Sequence, residues 1–99
     1  MFVVIVNHLC RAGKADIARA RIDYNGDEMK DAEGFVSRYR LETPNDPNKI
    51  STVTVWTEGT LYHKFKDAQR KHAAAAAPTE SPYERVVNET FEVMKEHRR

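Results

Sequence analysis

Residues 2–10 read FVVIVNHLC, and the run stops at Arg11-Ala12-Gly13. β-Branched and apolar residues dominate it, so it is a strand covered on both faces or nearly so. Side chains alternate along a strand. Val3, Ile5, Asn7 and Leu9 therefore share one face, and Val4, Val6, His8 and Cys10 the other. An amide and an imidazole late in so apolar a strand need a reason, and the rest of the chain is read with that in view.

After Gly13 the period changes. Ala18, Ile22 and Met29 fall on one stripe, with Ala15 beside them and charged residues between. The spacing predicts a helix from Lys14, kinked or broken near Asn25-Gly26 and ended at Glu33-Gly34. Phe35–Glu42 alternates Phe35, Ser37, Tyr39 and Leu41 against Val36, Arg38, Arg40 and Glu42, a half-exposed strand. Residues 43–49, TPNDPNK, read as loop. Ile50–Thr57 is a third strand.

A second helix is expected from about Thr60 to Ala76, its inward stripe being Leu61, Phe65 and Ala68, with His72 one turn on. The alanine run 73–77 favours helix, Pro78 stops it, and 78–82 is linker. Arg85–Met94 is a fourth strand, with Val87, Phe91 and Val93 on one face beside Glu89. The order β-α-β-β-α-β implies a ferredoxin-like α+β sandwich in one domain spanning residues 1–99. Two helices cover only one side of such a sheet. The other side would leave apolar side chains exposed, so a homodimer paired through sheet faces is expected.

Composition narrows the function. Sixteen basic against fifteen acidic residues give a net charge of +1, which argues against nucleic acid or an anionic membrane as partner. No apolar stretch is long enough to span a bilayer. The apolar N-terminal run has no charged region before it and no small-residue cleavage site after it. With the lone Cys10, which allows no internal disulfide, this makes a cytoplasmic location the expectation. No Cys/His cluster has zinc spacing, and no glycine-rich loop can cradle phosphate.

Several stretches together resemble one superfamily: the strand ending in Asn7, the Ala12-Gly13-Lys14 turn, EGFVSRYRL (33–41), STVTVW (51–56) running into a helix, and the late strand. They are similar in order and spacing to the antibiotic biosynthesis monooxygenase superfamily of dimeric α/β-barrel proteins. Glu33 stands where its members commonly carry proline before Gly-Phe. The resemblance covers essentially the whole chain. It implies paired ferredoxin-like sheets and an apolar cavity between each sheet and its helices. It also implies oxidation of a flat aromatic or quinol-type substrate by dioxygen without a tightly bound flavin or metal.

The small haem-degrading branch of that superfamily carries a strand asparagine, a helix tryptophan and a helix histidine that ligates haem iron. Asn7 and His72 match the first and third. The tryptophan has no counterpart: Trp56 precedes the helix, which offers Lys64 or Phe65 instead. Asn7 and His72 are accordingly the catalytic candidates, facing one cavity. Asn7 would orient substrate or dioxygen. His72 would act as base or, in the haem reading, as proximal ligand. Trp56, Phe65, Phe35 and His63 are the substrate-wall candidates, although His63 lies half a turn out of phase with His72. His8 is expected on the opposite face, toward the dimer, as an interface or core histidine, and Arg38 and Arg40 on a solvated face, with a haem propionate or other carboxylate as the alternative contact. A non-catalytic ligand-binding dimer on the same fold is the third expectation.

Overall fold

A computed structural model describes residues 1–74 and 80–99. Its elements are β1 (Phe2–Cys10), α1 (Ala15–Met29), β2 (Phe35–Thr43), β3 (Asp46–Trp56), α2 (Gly59–Ala74) and β4 (Tyr83–Glu92). The sheet order is β2-β3-β1-β4, with every neighbouring pair antiparallel. This is the expected ferredoxin-like α+β sandwich. Most of the alanine run, with Pro78 and the start of the 78–82 linker, lies outside the described residues.

Register decides which face the helices cover. Phe2 pairs with Trp56, Val4 with Thr54, Val6 with Thr52 and His8 with Ile50. On this face Phe2, Val4, His8, Cys10, Ile50, Thr52, Thr54 and Trp56 are buried. Ala18, Ile22 and Met29 of α1 and Tyr62 of α2 close over it. The apolar core forms two clusters. Phe2, Val4, Met29, Trp56 and Tyr62 make one, and Cys10, Ala18, Ile22 and Ile50 the other. Between them the strands carry His8, Thr52 and Thr54, so the middle of the layer is polar.

The opposite face has no helix. Val3 lies between Val55 and Phe91, Ile5 between Val53 and Glu89, and Asn7 between Ser51 and Val87. Tyr39, Leu41 and Phe91 stand 59%, 49% and 45% exposed, an apolar surface of the kind that marks an interface.

Four sequence expectations are corrected. Helix α1 runs unbroken through Gly26, since one glycine costs a helix only about 1 kcal/mol; a Cβ there would meet the Arg38 Cδ at 3.4 Å, an ordinary contact. Gly34 is not the helix cap: α1 ends at Met29, with Lys30 still right-handed. Gly34 instead turns into β2 at φ +87°, where a Cβ would come within 2.9 Å of Leu61 Cβ. The 43–49 loop shrinks to Pro44-Asn45, and Pro47 is accommodated by a register shift between Glu42 and Thr43. The inward stripe of α2 is rotated, so that Tyr62 is buried while Leu61 is only half-buried and Ala68 is exposed.

Candidate functional site

A chamber of about 150 Å3 lies between the sheet and the helices. Its floor is Val4, Val6, His8, Thr52 and Thr54, and Val86 and Asn88 of β4, both solvent-exposed, rim its outer side. Asn25 and Met29 reach it from α1, Arg38 from β2, and Tyr62 and Lys66 from α2. It occupies the polar middle of the layer, where threonine and histidine replace the larger apolar residues on either side.

His8 has a determined orientation. Its Nδ1 lies 3.0 Å from the Ile50 carbonyl oxygen. A carbonyl only accepts, so the neutral ring carries its proton on Nδ1 and keeps Nε2 as its basic nitrogen. Tyr83 packs against the ring at 5.1 Å between centroids. Burial pushes the imidazole below its ordinary 6.5; the Ile50 hydrogen bond opposes that, and Arg38 and Lys66 add to it. His8 is therefore a neutral base at neutral pH.

Two cations join it. Arg38 pairs with Thr54 across the sheet, so β2 aims it toward the helices, and its Nη1 donates to Met29 Sδ at 2.9 Å. Lys66 Nζ donates to Gln69 Oε1 at 2.8 Å, and Gln69 Nε2 donates to Asn25 Oδ1 at 3.4 Å. Burial lowers the pKa of both cations; Asp23 partly opposes this at Arg38, while Arg70 and Arg38 add to it at Lys66. Among the described residues no carboxylate lines the chamber. Asp23 and Asp27 share an adjoining surface pocket with Arg38 and Arg40; Arg40 holds Asp23 at 2.6 Å and Glu42 at 3.1 Å, and Arg19 holds Glu42 at 2.7 Å.

The site residues expected from sequence are dispersed. Asn7 lies on the helix-free face, accepting a 2.6 Å hydrogen bond from Ser51 Oγ on its Oδ1. His72 is exposed on α2 and is not part of the chamber lining. The premise that these two face one chamber is corrected. The physical reason is register: the even-numbered residues of β1 pair into the face that carries Trp56 and Ile50, which brings His8 inward and turns Asn7 outward. Arg38 and Arg40 both lie on the helix side of the sheet; Arg38 is half-buried there, whereas Arg40 is solvent-exposed as expected. Trp56 is fully buried in the core, its indole Nε1 unpartnered among the described residues. Phe35 and Phe65 pack on Trp56, each at 5.7 Å between centroids. Neither they nor Trp56 line the chamber. His63 is exposed, its ring against Phe2 and Tyr62.

Sequence reasoning missed His8, Lys66 and Tyr62 as site residues. The available signal was parity: His8, Thr52, Thr54 and Arg38 share the face of the bulkiest strand residues, Phe2 and Trp56. Among the described residues no group of three His, Cys, Asp or Glu could hold a metal ion, and no helix is long and apolar enough to cross a membrane.

No family model and no curated protein matches this chain. Solved structures do. A point mutant of MhuD, with two manganese protoporphyrin IX bound per active site, is 17% identical with a TM-score of 0.79, covering 97% of each chain. A putative antibiotic biosynthesis monooxygenase from Deinococcus radiodurans is 10% identical at TM-score 0.77, covering 99% of this chain and 97% of that one. SnoaB, a cofactor-independent oxygenase from Streptomyces nogalater, is 15% identical at TM-score 0.67, over 95% and 94%. The fold is thus the one the sequence resemblance implied, that of antibiotic biosynthesis monooxygenase-like proteins.

Proposed function

We propose that this chain is a small oxygenase that oxidises a quinol-type aromatic with dioxygen and has no flavin or metal of its own. The carrying observation is His8: a buried imidazole with its tautomer set by Ile50, on the floor of a polar chamber. Its Nε2 takes a proton from the substrate hydroxyl, and the resulting phenolate is a far better electron donor than the phenol. The overall change balances as quinol plus dioxygen to hydroxyquinone plus water. The ring supplies four electrons, one oxygen atom enters a ring carbon, and the other leaves as water. Arg38 and Lys66 favour the anionic ring. The fold shared with SnoaB, described as a cofactor-independent oxygenase, supports this reading. Oxygen uptake with hydroquinone as substrate, abolished in His8→Ala, is the test; uptake unchanged in that variant contradicts it.

Haem binding is the second reading, and it rests on the likeness to MhuD, whose structures hold porphyrin. The chamber around His8 fits it poorly. The chamber is well below the roughly 300–1,000 Å3 of drug-sized ligand sites, and His72 lies outside its lining. A haem titration tests it directly. A stoichiometric Soret shift lost in His72→Ala would replace the leading proposal.

The apolar open face supports a homodimer formed by two sheets, with Tyr39, Leu41 and Phe91 buried between copies. Sedimentation at micromolar concentration is expected to give a dimer; monomer alone would contradict it. A non-catalytic binding dimer is the reading left if neither quinol nor haem responds.

A further inference from the structure

We propose that the chamber selects an anionic single-ring ligand, whose carboxylate bridges Arg38 and Lys66. The inference rests on the chamber being the substrate site, and it names the substrate class.

Two half-buried cations reach one chamber from β2 and α2, and among the described residues no carboxylate lines it. Among the described residues neither cation makes an ion pair, whereas Arg40, two residues from Arg38 on the same face, holds both Asp23 and Glu42. Arg38 instead donates to a thioether, among the weakest acceptors a protein offers. Lys66 has a neutral amide. Withdrawing a cation from water without a counter-charge is costly, and two side by side cost more. A ligand carboxylate would relieve both, and its plane matches the guanidinium fork.

The site is also shaped for this. The Arg38 stem passes close over Gly26 of α1, its Cδ 3.4 Å from where a Cβ would stand. The Lys66–Gln69–Asn25 chain ties the ammonium group to the same helix. Met29, Val4 and Val6 offer an apolar wall, and a chamber of about 150 Å3 is of the size that holds one benzene ring.

Calorimetric titration of the full chain with benzoate, and with benzamide as its neutral near-isostere, tests this. One benzoate per chain is expected, with benzamide at least about tenfold weaker, as the loss of a charged hydrogen bond implies. Arg38→Met and Lys66→Met should each weaken benzoate by about tenfold or more, with unchanged circular dichroism. Equal binding of benzoate and benzamide, or no binding of either, overturns the inference, and both results come from the unaltered protein.

Benzoate carries no quinol, so its binding is read independently of oxidation. Oxygen uptake faster with hydroquinone than with 2,5-dihydroxybenzoate would overturn the anion selectivity and leave the oxygenase reading intact. Benzoate binding with no uptake from either quinol would do the reverse.

Discussion

The two faces of this sheet are built from the same four strands and do opposite things. The helix-covered face buries the largest residues at its ends, Trp56 and Phe2 at one and Ile50 and Cys10 at the other. Its polar and charged groups sit in the middle. The open face is mostly apolar, with Asn7 bonded to Ser51 and Glu89 beside Ile5 as polar exceptions. Polar residues packed between sheet and helices are partly withdrawn from water, so their charges act more strongly than on an open surface. An apolar face without helices is a surface to be covered by something else. The chemistry therefore belongs to the covered face, and association to the open one.

The largest effect that tests this contrast is at the core end of the covered face. Trp56 is fully buried against Phe35, Tyr62 and Phe65. Trp56→Ala should cost about 3–5 kcal/mol in urea unfolding. A loss under about 1 kcal/mol would mean that α2 does not pack there as described.

Next is the comparison of neighbours that point opposite ways. His8→Gln should lower quinol-dependent oxygen uptake by at least about 100-fold, the usual contribution of a positioned base. Asn7→Ala, which removes only the bond to Ser51, should leave turnover within about twofold and cost about 1 kcal/mol of stability. Reversed effects would transfer the chemistry to the open face.

Lys66→Met separates stability from function. It replaces a half-buried cation that has no counter-charge with an apolar side chain of similar length. Thermal unfolding should show stability unchanged or raised by about 1 kcal/mol, a few degrees in Tm for a chain of this size. Marked destabilisation would mean that the ammonium is part of the scaffold.

The smallest effect is in pH. His8 sits below its ordinary 6.5, mainly through burial. The unfolded chain then binds its proton more readily than the folded one, so stability is fullest above pH 6.5 and falls as pH drops toward the depressed folded value. Glu42, held below its ordinary 4.5 first by the hydrogen bond from Arg19, contributes only at lower pH. Urea midpoints between about pH 7.5 and 5 should therefore decline in the native chain and decline less in His8→Gln. Identical declines would remove His8 as the cause.

Much of the fold was legible because its signals were strong. Period-2 alternation in β2 and β3, period-3.6 spacing over Ala18 and Ile22, and the element order were sufficient for the topology. The hairpin was misjudged because two prolines in 43–49 look like loop, while the register shift after Glu42 lets strand continue around Pro47. The candidate site was read less well, for one physical reason. Both faces of β1 are apolar, so that strand alone does not reveal which face is covered. Only its pairing with β3, which sets Phe2 beside Trp56, resolves the parity, and that single step exchanges Asn7 for His8. The stripe of α2 failed similarly: Leu61 and Tyr62 are both large and adjacent, and the buried one is the tyrosine.

Methyl-resolved NMR during a benzoate titration compares the two faces in a single measurement. Shifts concentrated on Val4, Val6 and Met29, with Val3, Ile5 and Val53 unmoved, are the expected result. Shifts confined to Val3, Ile5 and Val53 would place the ligand on the far side of the sheet and contradict the assignment of chemistry to the helix-covered chamber.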